Sequence, residues 1–231
     1  MFHFIINSKN YKEASGPSAI ILGKIVSELS EIGIDKNPDV RLYLAPPSFS
    51  ISEISRNYPN VFLFAQHLDP QSPGSTTGHL VPEIAKLSGA RGSLLNHSEH
   101  RIPKEQIEKS VGLLRELGMT STVCAQDADE VGEYTKFNPD FIAIEPPELI
   151  GSGHAVSKEK PELISDSKSA LDKVLTKGQT TVLLCGAGIV DATDVKRAVE
   201  LGSKGILVAS GVIKSSNWKD SILSLASGFL A

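Results

Sequence analysis

The chain has 231 residues, of which 40% are hydrophobic and 22% charged, and its formal net charge is −4. That length supports a substantial buried core, in one large α/β barrel or in two ordinary domains, and the composition excludes disordered and fibrous classes. The acidic balance, with no dense run of Lys or Arg, argues against a nucleic-acid partner, and no apolar run approaches the ~20 residues that span a bilayer, so no membrane partner is expected.

The first residues, Met1-Phe2-His3-Phe4-Ile5-Ile6, are largely apolar without a basic leader and give way to polar Asn7, Ser8 and Lys9. They read as a strand, not as a signal peptide. Helical spacing over 18–32 follows. Strands are predicted at 40–45, 61–66 and 92–96, then a helix over 104–117. Strands at 120–125 and 140–145 precede a helix over 161–175; a strand at 180–185 precedes a helix over 191–201; and a strand at 205–209 precedes a helix over 217–229. Phe141-Ile142-Ala143-Ile144 and Thr181-Val182-Leu183-Leu184 are apolar at nearly every position, as burial on both faces of a parallel sheet requires. Eight βα units without a dividing linker predict an α/β fold, a closed (β/α)8 barrel forming one domain over 1–231. Cys124 and Cys185 lie far apart in apolar stretches with no ligand-spaced neighbour, so buried reduced thiols in a cytoplasmic protein, and no metal site, are expected.

In such a barrel the chemistry sits where the strands end. The ends of strands seven and eight, Gly186-Ala187-Gly188 and Ala209-Ser210-Gly211, lack bulky side chains, and the second leads into a short helix expected from Val212. Backbone N–H groups there can approach an anion closely, which suits a phosphate. Gly151-Ser152-Gly153 closes a loop that starts at Pro146, a rigid start and a flexible finish that suit a lid. Glu145 ends an apolar strand, where partial desolvation makes a carboxylate a stronger base. His97 lies where strand four ends and a helical turn is expected, whose N–H groups would disfavour an imidazolium and leave a neutral hydrogen-bond donor. Lys9, beside Asn7, brings positive charge to the mouth of an acidic protein.

Asn7-Ser8-Lys9, Asn96-His97-Ser98-Glu99-His100-Arg101, Ala143-Ile144-Glu145-Pro146 and Ile150-Gly151-Ser152-Gly153 resemble, in order and placement, the characteristic segments of triosephosphate isomerases, and of their short archaeal branch in particular. The resemblance implies a TIM barrel that interconverts dihydroxyacetone phosphate and glyceraldehyde 3-phosphate in glycolysis and gluconeogenesis, without a cofactor. It implies Glu145 as the base, His97 as the electrophile and Lys9, with Asn7, as the group facing substrate oxygens; Glu99 would hold Lys9. Ile150, Gly151, Ser152, Gly186, Ala187, Gly188, Ala209, Ser210 and Gly211 would contact the substrate phosphate. Two segments depart from many members: Glu148 stands where they carry an aromatic residue, and Cys185-Gly186-Ala187-Gly188 where they carry Tyr-Gly-Gly-Ser. The long loop containing Gly74, Ser75, Thr76, Thr77 and Gly78 resembles the one that docks into a neighbouring subunit, which implies a homodimer or a homotetramer. A barrel isomerase or lyase acting on a phosphoribosyl compound would share the phosphate cradle, but Glu145 after strand six together with His97 after strand four argues against it.

Overall fold

The computed structural model describes residues 1–32, 39–146 and 159–229. Eight parallel strands, β1 (Phe2–Asn7), β2 (Val40–Ala45), β3 (Phe64–Ala65), β4 (Gly92–Leu95), β5 (Thr120–Ala125), β6 (Phe141–Ile144), β7 (Val182–Cys185) and β8 (Gly205–Val208), form one sheet in the order β2-β1-β8-β7-β6-β5-β4-β3. Its two edges meet: Leu44 of β2 bridges Leu63 in parallel, and the Leu44 N–H donates to the Phe62 carbonyl at 3.0 Å. The sheet therefore curls into a (β/α)8 barrel. Strand three is much shorter than the predicted 61–66, because Leu63 contributes only that single bridge on one side while its carbonyl accepts from the Arg91 N–H on the other.

Nine helices are described: α1 (Pro17–Ile32), α2 (Ile51–Asn57), α3 (Pro82–Leu87), α4 (Lys104–Glu116), α5 (Ala128–Thr135), α6 (Pro161–Val174), α7 (Ala192–Glu200), α8 (Ser210–Ile213) and α9 (Trp218–Ser227). Their starts follow local chemistry. Asp127 caps α5 by accepting the Glu130 N–H, Asp191 and Asp194 cap α7 reciprocally, and Pro161 opens α6 where a missing N–H costs nothing. On α1, Ala19, Leu22, Val26 and Leu29 recur at helical spacing and are buried. Each of the larger ones contributes roughly 1.5–3 kcal/mol of burial. Among the described residues no helix is long and apolar enough to cross a membrane.

Two apolar layers result. Phe4, Ile6, Leu42, Leu44, Val123, Ile142 and Ile144 face the helices, whereas Ile5, Tyr43, Phe64, Leu94, Cys124, Ala143, Leu184 and Leu207 fill the barrel. Sheet register puts the inner residues side by side, with Ile5 paired to both Tyr43 and Leu207, and Ala143 to both Cys124 and Leu184. The alternation along β6 directs Phe141 and Ala143 inward, and carries the next inward position to Glu145 at the mouth.

Candidate active site

Glu145 continues the β6 ladder by one bond, its N–H donating to the Ala125 carbonyl at 2.8 Å. Its side chain is 4% exposed, and its Oε2 has no hydrogen-bond partner among the described residues. Burial pushes the carboxyl above the ordinary glutamate range, against the opposing pull of His97, the Cys124 thiol and Lys9. The Nε2 of His97 stands 3.5 Å from that unpartnered oxygen.

The geometry fixes the tautomer of His97. The Glu99 N–H donates to His97 Nδ1 at 3.1 Å, so Nδ1 carries no proton and the ring holds its proton on Nε2, toward Glu145. The Glu99 carboxylate is farther from Nδ1, at 3.6 Å, and its other oxygen is engaged elsewhere, so the nearer N–H decides. The helix start expected beside His97 is absent. Residues 97–100 form a tight turn closed by the His100 N–H on the His97 carbonyl at 2.8 Å, and α4 begins only after Pro103. One backbone donor therefore acts on the ring directly, in place of a helix terminus.

Lys9 adopts a left-handed backbone conformation, φ 45°, uncommon outside glycine. Three contacts hold it there. Its N–H donates to Asn7 Oδ1 at 2.9 Å, its carbonyl accepts from Gln66 Nε2 at 2.7 Å, and its Nζ donates to Glu99 Oε1 at 2.8 Å. Gln66 also reaches the Ala45 carbonyl at 3.2 Å, tying the ends of β1, β2 and β3 together. Glu99 thus serves the lysine through its side chain and the histidine through its backbone.

Asn7, Lys9, His97 and Glu145 share one cleft of about 220 Å³ with Gly186, Ala187, Gly188, Ala209, Ser210 and Gly211. Helix α8 begins at Ser210, two residues earlier than expected, because the carbonyl of Ala209 accepts from both the Val212 and Ile213 N–H groups. Ser210 and Gly211 thereby become its first turn, whose N–H groups have no intrahelical acceptor and suit an anion. Gly186 also makes room for a neighbouring side chain. Its N–H donates to the Ile144 carbonyl at 2.9 Å, and a Cβ on it would stand 2.3 Å from Glu145 Cγ. It supplies space for the Glu145 side chain, whereas Gly188, at φ 68°, supplies the bend. Ile150, Gly151 and Ser152 lie outside the described residues.

Tyr11 and Gln66 went without a role on sequence grounds, and Cys124 was read only as a buried thiol. Tyr11 lines the cleft two residues past Lys9, and Cys124 lies beneath Glu145, where burial and the glutamate charge raise its thiol well above the usual range. Gly74, Ser75, Thr76 and Thr77 do not line this cleft; they belong to an exposed loop closed at its base by a pair of bonds between Asp69 and Leu80, whose Gly78 lines an adjoining groove with Lys9 and His97. Among the described residues no group of three or more His, Cys, Asp or Glu side chains is arranged to hold a metal ion.

The family model described as triosephosphate isomerase matches residues 2–225. The chain belongs to the triosephosphate isomerase family. Curated relatives bearing that name include one from Cenarchaeum symbiosum, 47% identical over 96% of this chain and 95% of its own length. Another from Methanothermus fervidus is 42% identical over 96% of each chain, and one from Methanopyrus kandleri is 39% identical over 97% of this chain and 96% of its own. The match to the triosephosphate isomerase family takes in all eight strands and every residue of the cleft above.

Proposed function

We propose that residues 1–231 act as one catalytic domain that interconverts dihydroxyacetone phosphate and glyceraldehyde 3-phosphate, working in the cytoplasm. The observation that carries the reading is the approach of a buried, unpartnered carboxylate oxygen to within 3.5 Å of an imidazole whose proton is on Nε2. A base and a neutral donor on either side of one small space suit proton removal next to a carbonyl.

In this mechanism Glu145 takes a proton from the carbon beside the carbonyl, and the carbon–hydrogen electron pair moves to form an enediolate. The same carboxyl then returns the proton to the neighbouring carbon while the hydroxyl proton of the first carbon passes to the former carbonyl oxygen, so one group serves both carbon steps of the isomerisation. His97 Nε2–H and Lys9 Nζ stabilise negative charge as it grows on the two substrate oxygens. The phosphate is held by the Ser210 and Gly211 N–H groups, with Ala187, Gly188 and Ala209 around it, and by Ile150, Gly151 and Ser152 from the lid. A dianion bound mainly by backbone dipoles suits a chain of net charge −4. Neither a metal nor an organic cofactor takes part.

The active form is a homo-oligomer, a dimer or a tetramer of this chain, with Gly74, Ser75, Thr76, Thr77 and Gly78 docking into a neighbouring copy. Phe49 is fully exposed and lines a groove with Leu80, which shares a second groove with the exposed Ile84, an apolar surface that a second copy would cover. Sedimentation of the native chain reads the assembly directly.

The deciding test is conversion of glyceraldehyde 3-phosphate in chelator-treated buffer, for the native chain and Glu145→Gln. Native turnover that falls by about a hundredfold or more in the variant supports the assignment. A native chain without turnover rejects the reaction, and a Glu145→Gln variant near full activity rejects the base.

A further inference from the structure

The turn that carries His97 starts at a residue whose side chain does more than occupy its place. Asn96 follows β4 in the left-handed region, φ 59°, and is 1% exposed. Glycine meets that backbone angle at least cost, and asparagine is among the few other residues that tolerate it. What asparagine adds is a set of bonds. Its Nδ2 donates to the Cys124 carbonyl of β5 at 3.0 Å and lies 3.4 Å from the Tyr134 hydroxyl of α5. Its Oδ1 accepts the Ile102 N–H at 3.1 Å, six residues further along the chain.

These bonds bracket the turn. Asn96 ties its first residue to the residue just past its end and fastens both to β5. The far side is fastened independently, because the Arg101 guanidinium pairs with Glu130 of α5 and approaches the Tyr134 hydroxyl at 3.4 Å, while Glu130 also accepts the Gln126 N–H at 2.9 Å. Inside the bracket lie the two bonds that matter to the ring, His100 N–H to the His97 carbonyl and Glu99 N–H to His97 Nδ1.

We propose that Asn96 is a positioning residue for His97: its side-chain amide holds the turn in the shape that delivers the Glu99 N–H to Nδ1 and so keeps the ring proton on Nε2, facing Glu145. The inference rests on the reading of His97 as the electrophile. A residue present only for its backbone angle would be replaced by glycine without loss, and possession of the angle and possession of the bonds are separable by mutation. Without the amide, the Ile102 N–H loses its acceptor and the turn keeps only its own bond from His100 to His97. The Glu99 N–H then drifts from Nδ1, and the ring is free to place its proton on either nitrogen.

The experiment compares the native chain with Asn96→Gly, both labelled with ¹⁵N-histidine, and reads the imidazole nitrogen shifts, kcat, KM and thermal midpoint. The expected native spectrum has His97 as the single Nε2–H tautomer. In Asn96→Gly, a folded protein should show a mixture of tautomers, a kcat lower by about a hundredfold and a KM within about twofold, as small misplacement of a catalytic group produces. A folded Asn96→Gly with the native tautomer and native kcat overturns the proposal. Should the glycine variant fail to fold, Asn96→Asp, which keeps an acceptor for Ile102 but loses the donor to Cys124, carries the same readouts: mixed tautomers support the proposal, and the native tautomer with native kcat overturns the part it gives to the Cys124 bond. A native chain without isomerase turnover would instead overturn the role of His97, while the tautomer comparison still reports whether Asn96 sets the ring.

Discussion

A Cβ on Gly186 would lie 2.3 Å from the Cγ of Glu145, well inside any real contact, so the glycine after β7 is the space in which the carboxylate of β6 rests. Gly186→Ala must move the glutamate, because the alternative is to move sheet backbone whose N–H is bonded to Ile144 at 2.9 Å. Overpacking of this kind costs about 1–3 kcal/mol of stability. The displaced base should lower kcat by about a hundredfold with KM little changed. Steady-state kinetics check this, and a Gly186→Ala enzyme within twofold of native kcat would contradict the spatial role.

Glu145 also makes stability depend on pH in a definite direction. Its folded-state pKa is raised by burial, so the folded protein holds that proton more tightly than the unfolded chain does. Below the unfolded value, near 4.5, both states are protonated and the group costs nothing; as pH rises through the folded value, ionisation in the buried site destabilises the fold. Glu145→Gln removes that cost. Its thermal midpoint should exceed the native one at neutral pH, by roughly 2–4 °C per kcal/mol relieved, and the gap should close on acidification below the glutamate range. Calorimetry across pH tests it; a gap that widens toward acid would give the wrong sign.

With Glu145 as the proposed base, the same shift is expected to set the acid limb of the reaction. A base must be ionised to act, so kcat/KM should fall on acidification at a pH above that of an ordinary glutamate. Substrate phosphate titrates nearby, at about 6, so the informative comparison is between enzymes. The Cys124 thiol beside the carboxylate pulls its pKa down, against the effect of burial. Cys124→Ala should therefore move the acid limb upward relative to the native profile. An unmoved limb would remove Cys124 from the tuning of the base.

Lys9 separates strain from charge. Holding a lysine at φ 45° costs about 1–2 kcal/mol, which glycine would not incur. Its ion pair is to a carboxylate whose side chain is 58% exposed, worth only about 0–1 kcal/mol. The first effect wins, so Lys9→Gly should unfold no earlier than the native chain. Its activity should nevertheless fall by about a hundredfold or more, because a cation aimed at developing charge is lost. Urea midpoints and kcat/KM on the same preparation test both halves, and a destabilised variant would show that the ion pair outweighs the strain.

Much of the architecture was legible from local pattern. Eight apolar runs at barrel spacing predicted the eight strands, and the end of the run Phe141-Ile142-Ala143-Ile144 placed the Glu145 carboxylate at the mouth. The residues with titratable or cationic side chains at strand ends, Lys9, His97 and Glu145, stood out for the same reason, and the cleft brings them together. Cues that depended on a local helix were less secure: the turn after β4 is not helical, and α8 starts at Ser210.

By itself the sequence determined the order and type of elements, because period and capping act between residues a few positions apart. It also placed the reactive side chains at the strand ends. Only the tertiary structure decided how those side chains are held. The Lys9–Glu99 bond joins residues 90 apart in the chain, and Gln66 grips the carbonyl of a residue 57 positions earlier. The space at Gly186 and the Asn96 bond to the Cys124 carbonyl likewise exist only once the barrel has closed. Closure sets those distances, and no local periodicity encodes them, because strands distant in sequence become neighbours only through the register and curvature of the whole sheet.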